Sequence, residues 1–325
     1  MLPVNGGIEQ VLARAGARAA DALNSGALAR LVGEVDGLRP GNGIDDAFDD
    51  VLDLLGGGRV VDVLGRPGGA PGTYASVVQA EDGARMLAVL RDGARRDLGA
   101  ERFFVDLARA ADLDDLVTPT VVAGDGSAGL MQLVPDPDLR TLGVATTEQL
   151  DARMRAGLLA DGLAPDAAAR AARLDRELGA VLDAATAHVD RHPGNALLDT
   201  ASGRLTLIDN ELVGGGLWYR EFTRDLPWLD PLLPGGRPMA PIRVDGDTVV
   251  PHRIDLNEDT VRHLREVDLD AVHRAHERLA RTPISRTGDE IAEWIRSPEY
   301  RADVLGTLGR ITDEGGWTYV PVNAP

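Results

Sequence analysis

Two textures of hydrophobic and polar residues divide the chain. Residues 1–55 carry Ala- and Leu-rich stretches at 8–23, 27–35 and 45–55, broken by Gly and Pro, and read as helices with a loop at 38–43 around Pro40. From Gly56 the pattern changes to short β-branched runs. Residues 60–64 read as a strand, followed by the Gly- and Pro-rich loop 65–72. Residues 74–80 and 85–91 then read as a hairpin turning at Asp82-Gly83. A helix follows over 98–111, then strands over 117–122 and 129–134, joined through Gly124-Asp125-Gly126. Helical periodicity returns at 147–161 and at 165–187, where Pro165 suits a first turn because its missing N–H has no helical partner there. Residues 188–209 read as a loop and short hairpin. Beyond lie a Pro/Gly-rich stretch at 226–241, a small hairpin about Asp245-Gly246, and helices over 260–281 and 288–295.

Composition narrows what such a chain does. Its 325 residues are 44% hydrophobic and 26% charged, the profile of a globular protein with one large domain or two smaller ones. Aromatics are only 4%, so the core is built from Leu, Val, Ile and Ala. The formal net charge of -18 repels phosphate backbones and anionic lipid, and no basic run offsets it, which argues against nucleic acid or membrane as a main partner. Cysteine is absent, excluding disulfides, thiolate metal sites and cysteine nucleophiles, and a cytoplasmic location is the expectation. No stretch is apolar for long enough to cross a bilayer, and residues 1–20 lack the pattern of a signal peptide. Every basic residue is arginine. Any site that usually employs lysine must here employ arginine or do without. With the abundance of Ala, Gly, Asp and Pro, this suggests a genome rich in G and C.

The residues that carry chemistry lie in His188-Val189-Asp190-Arg191-His192-Pro193-Gly194-Asn195, followed after Ala196-Leu197-Leu198-Asp199 and a Ser202-Gly203 turn by Leu205-Thr206-Leu207-Ile208-Asp209. Magnesium takes oxygen ligands from carboxylates, amides, phosphates and water. Asn195 and Asp209 offer a carboxylate–amide pair on the two sides of a short hairpin, which brings both to one end. Asp190, five residues before Asn195, would sit where an incoming hydroxyl is oriented or gives up its proton.

Asp190-Arg191-His192-x-x-Asn195 with a later Ile-Asp resembles the catalytic and metal-binding motifs of the phosphatidylinositol 3-/4-kinase-like group, which includes bacterial proteins. The His-Pro-Gly-Asn portion is similar to aminoglycoside and choline-type phosphotransferases. Both belong to the protein-kinase-like superfamily. The resemblance covers roughly residues 60–230 and implies an α+β, two-lobed fold. Residues 1–55 would form a helical extension, 56–135 a small antiparallel-sheet lobe that binds ATP, and 136–325 a larger helical catalytic lobe. It further implies Asp190 as catalytic aspartate, Asn195 and Asp209 as metal ligands, His192 as a second group handling the substrate proton, and Arg191 as orienting the loop or a phosphate.

In the small lobe, the same resemblance puts Arg91 where such kinases place the lysine that contacts the ATP phosphates, with Glu101 as its ion-pair partner. Gln132 and Val134 would lie near the adenine. The chain departs from the family pattern after Asp209, where Asn210-Glu211 replaces Phe-Gly or His-Gly. The expected function is an ATP- and magnesium-dependent kinase acting on a hydroxyl of a protein, peptide or small molecule. The alternative is a catalytically inactive kinase-like scaffold, as part of a larger assembly, or a partner-binding module engaging a partner protein through residues 1–55.

Overall fold

The mixed helix-and-sheet chain is built around a five-stranded antiparallel sheet and a set of seven α-helices among the described residues. The structure, a computed structural model, describes residues 58–65, 73–80, 85–91, 98–118, 120–122, 128–132, 134, 136–188, 191–214, 237–240, 242–244, 247–282, 284 and 289–319. The predicted helices of residues 1–55, most of the loop 65–72, the turns at 82–83 and 124–126, and Asp190 fall outside those residues.

By its contacts the chain divides into two compact units, one comprising the chain up to Phe103 with Thr118–Val134 and Arg278–Ala292, the other Phe104–Val117, Pro135–Glu277 and Glu293–Pro325. The first unit holds strands β1 (Gly58–Gly65), β2 (Thr73–Ala80), β3 (Arg85–Arg91), β4 (Thr120–Val122) and β5 (Ala128–Gln132), in the order β1-β2-β3-β5-β4. The register of β2 on β3 runs from Thr73↔Arg91 to Gln79↔Arg85, one residue away from the Ala80↔Arg85 pairing that a two-residue turn at Asp82-Gly83 implies. Helix α1 (Leu98–Ala110) buries Leu98 against Leu87 of β3 and Met131 of β5. Two predicted strands are shortened. Val117 leaves β4 to pair with Leu207, and Val134 lies beyond the end of β5.

The second unit is organised by α2 (Thr147–Ala160) and α3 (Pro165–Thr186). Thr146 and Gln149 form a reciprocal capping box that starts α2, satisfying N–H groups that the first turn leaves without helical partners. Helix α3 begins on Pro165 and is buried continuously from Arg176 to Asp183. Its buried Arg176 and Glu177 are both matched. Arg176 Nε donates to Asp151 Oδ1 of α2 at 2.5 Å, and Glu177 Oε2 accepts from Asn257 N and Thr260 Oγ1 at 3.0 and 2.7 Å.

Those last two residues open α4 (Glu258–Leu264), whose cap is Asn257, its Oδ1 accepting from Thr260 N at 3.0 Å, so Glu177 anchors the cap to α3. The predicted helix over 260–281 is two, α4 and α5 (Leu269–Arg281), the second started by Asp268, whose Oδ1 accepts from Ala271 N at 2.9 Å. After α6 (Asp289–Arg296) comes a helix the periodicity reading omits, α7 (Pro298–Glu314). Its signals are local: Ser297 Oγ accepts from Tyr300 N, Pro298 takes the first position, and Gly315 ends it at φ 62°. No described helix is long and apolar enough to cross a membrane.

Strands β6 (Ala196–Leu198) and β7 (Leu205–Leu207) form the short predicted hairpin. The remaining strands are β8 (Arg237–Pro238), β9 (Ile242–Val244), β10 (Asp247–Val249), β11 (His252–Asp255) and β12 (Gly316–Tyr319). Of these, β9 and β10 form the hairpin expected about Asp245-Gly246, pairing Val244 with Asp247. The β6–β7 turn seats on α2 where two glycines meet. A Cβ on Gly157 would lie 2.3 Å from Gly203 N, and one on Gly203 would lie 2.2 Å from Met154 O. Gly203 also has φ +77°, which favours glycine. Gly203→Ala is expected to destabilise the protein by ~3 kcal/mol in urea unfolding. Gly309→Ala, at an α7 position with nothing within 4 Å, should instead stabilise by ~0.5–1 kcal/mol.

Candidate functional site

The last turn of α3 aims the chain into the motif. Ala187 closes the helix in the left-handed region at φ 50°, and His188 N donates to Asp183 O at 2.9 Å. After that reversal Arg191 folds back on the helix it has just left. Its Nε and Nη2 donate to Asp183 Oδ2 and Oδ1 at 3.0 and 3.1 Å, a bidentate fork. Nη1 donates to the carbonyls of Asn195 and Ile208 at 2.6 and 2.9 Å, and Nη2 also donates to Asn210 Oδ1 at 2.5 Å. Five guanidinium hydrogens thus meet five acceptors, and the Phe104 ring lies 5.7 Å from the guanidinium carbon. The fork is occupied by protein and buried, and it holds two backbone carbonyls of the motif.

The fork fixes the open end of the β6–β7 hairpin. The first pair is Ala196↔Leu207, and one step outside it Ile208 N donates to Asn195 O at 3.1 Å. Asn195, buried at the end of a 3-10 turn (Pro193–Asn195), and Asp209 therefore flank the same end, as the spacing predicts. The hairpin is held at both edges, by Asp138↔Leu197 on one side and Val117↔Leu207 on the other. Asp209 is exposed and sits at φ 55°, a left-handed position that a short polar side chain tolerates. His188 Nε2 lies 3.4 Å from the Asp209 carbonyl.

Asn210, which departs from the family pattern, is fully buried: its Oδ1 receives Arg191 and its Nδ2 donates to Leu207 O at 3.3 Å. Burial pushes the Asp183 carboxyl above the usual carboxylate range, and the Arg191 guanidinium pulls against that shift.

His192 is half-buried, and its Nδ1 accepts from Gly194 N at 2.9 Å. Of the expected nucleotide-side residues, Arg91 is the last residue of β3 and Gln132 the last of β5, each described by its backbone alone. Glu101 is buried in the first turn of α1, and Val134 is half-buried. Asp183, His188 and Asn210 were not singled out from sequence as parts of this arrangement. For His188 the available signal was its place two residues before Asp190. Asp183 is hidden as one more helical acid. On α5, His273 is exposed beside Glu277, whereas His276 is buried with Nε2 3.0 Å from Ile295 O. That burial lowers the His276 pKa.

Among solved structures, the chain is similar to the Helicobacter pylori proinflammatory kinase CtkA, at 12% identity and a TM-score of 0.42 over 78% of this chain and 96% of that one. It is also similar to the open conformation of CtTel1, at 15% identity and a TM-score of 0.32, over 74% of this chain and 11% of that one. No family model matches the chain, and no curated protein matches it.

Lysine at position 191 cannot serve five acceptors set out for a planar fork. In urea unfolding, Arg191→Lys is expected to lose about 2 kcal/mol or more, and Arg191→Ala, which strands Asp183, about 3–5 kcal/mol. A wild-type midpoint for Arg191→Lys would contradict the fork.

Proposed function

We propose that the chain is an ATP- and magnesium-dependent phosphotransferase acting on a hydroxyl of a protein, peptide or small molecule. The observation that carries this reading is the convergence of Asn195 and Asp209 on one end of a hairpin whose backbone carbonyls are pinned by Arg191. The donor set suits magnesium: one carboxylate and one amide are hard oxygen ligands, and a magnesium ion that keeps water and phosphate in its sphere asks for little more from protein. Among the described residues no cluster of three His, Cys, Asp or Glu side chains offers a metal a cage of its own. Bound there, the ion would neutralise phosphate charge during transfer.

On this reading Asn195 and Asp209 hold the metal, Asp190 orients the acceptor hydroxyl or takes its proton, and Arg191 keeps the loop in register without touching substrate. Arg91, Glu101, Gln132 and Val134 are the nucleotide-contacting residues. An exposed Asp209 beside a buried Asn195 lets the carboxylate meet a solvated ion while the amide stays fixed. A second reading, a kinase-like module that binds nucleotide or a partner without turnover, is favoured by one observation: the chain has no lysine. Arginine at 91 is larger and differently shaped than the usual lysine.

Calorimetric titration of ATP with and without magnesium tests the proposal. Binding should require magnesium and weaken about tenfold or more in Asp209→Ala. Absence of binding in the wild type would overturn the enzyme reading, and magnesium-dependent binding without phosphate transfer would select the second.

A further inference from the structure

The turn before α2 brings a second arginine to the loop. Leu139 N donates to Ala196 O and Arg140 N to Pro193 O, both at 3.1 Å, so residues 138–140 run along the motif rather than away from it. This places Arg140 Nη2 3.1 Å from His192 Nδ1, across 52 residues of sequence. The same nitrogen receives Gly194 N at 2.9 Å. The three groups are close-packed: a Cβ on Gly194 would lie 2.6 Å from Arg140 Nη2 and 2.8 Å from His192 Cε1.

A backbone N–H and a guanidinium are donors only, and neither can accept. Two obligate donors converging on Nδ1 leave no place for a hydrogen there. The neutral ring must therefore carry its hydrogen on Nε2. We infer that Arg140 is a positioning residue which, with the Gly194 N–H, locks His192 in the Nε2–H form, so that His192 serves the reaction as a hydrogen-bond donor and not as the group that removes the substrate proton. This rests on the phosphotransferase reading only for its second half; the tautomer stands on the geometry alone. It leaves proton acceptance to Asp190 and gives His192 the role of stabilising negative charge on an oxygen during transfer.

The test uses the intact chain with 15N-labelled histidine, in two parts whose failures are distinct. Imidazole nitrogen spectra of the wild type at neutral pH should show His192 protonated on Nε2 alone. Arg140→Gln, which removes the charged donor, should move the ring towards an averaged pair of tautomers while the other histidines stay unchanged. An Nδ1–H signal in the wild type, or a spectrum indifferent to Arg140→Gln, would overturn the inference whether or not the protein turns over ATP.

If turnover is found, His192→Gln keeps a donor amide near the Nε2 position but no base. It should lose less phosphate-transfer rate than His192→Phe by about tenfold. Equal losses in two folded variants would contradict the donor role while leaving the kinase reading intact.

Discussion

The buried Asp183–Arg191 fork is the interaction on which the geometry of the motif depends. Removing two charges from water is expensive, and only complete pairing makes the arrangement tolerable. Here it is complete, because every guanidinium hydrogen has an acceptor and those acceptors come from four places: the end of α3, the 3-10 turn, the strand end after β7, and Asn210. The consequence is geometric more than energetic. The carbonyls of Asn195 and Ile208 are clamped to one rigid plane, so the residues on either side of the hairpin mouth cannot drift apart independently.

The fork in turn needs a fixed base, which α3 supplies. Arg176 ties the helix to α2, Glu177 holds the Asn257 cap of α4, and the carbonyl of Thr186 accepts from both Tyr300 Oη of α7 and Gly214 N, each at 2.8 Å. Helices far along the chain thereby hold the turn of α3 from which the motif departs. The Gly157–Gly203 approach does the same from the other end of the hairpin, through close backbone contact. Against this rigid frame Asp209 stands out as an exposed acid in a left-handed conformation. A rigid support carrying one solvated carboxylate suits the capture of a hydrated ion better than it suits packing.

Local signals made much of the frame legible in the sequence. Strand β3 runs from Arg85 to Arg91 as the apolar run after the Asp82-Gly83 turn indicates, and α2 and α3 start at Thr147 and Pro165 as their patterns indicate. The hairpin was legible because Asn195 and Asp209 bracket two apolar runs around a Ser202-Gly203 turn. What escaped was set by distant partners or by signals passed over. Val117 has the residues of a strand but finds its partner in Leu207. The break between α4 and α5 lies at Asp268, whose Oδ1 accepts from Ala271 N and starts the second helix, a cap signal passed over in the sequence. Arg191 reads as a loop cation until Asp183, one helical acid among several, is seen to turn inward, and Arg140 meets His192 only because the 138–140 segment lies along the hairpin. By contrast α7 was readable: Ser297-Pro298 before it and Gly315 after it are ordinary helix punctuation.

Manganese, a paramagnetic substitute for magnesium, gives the most direct measurement of whether the hairpin mouth is a metal–nucleotide site. In the 15N-labelled intact chain with ATP present, substoichiometric manganese should broaden the backbone amides around Asn195 and Asp209 first and together, and much less without ATP. Broadening centred elsewhere, or scattered over the acidic surface and indifferent to ATP, would contradict the assignment of that hairpin end to phosphoryl-transfer chemistry.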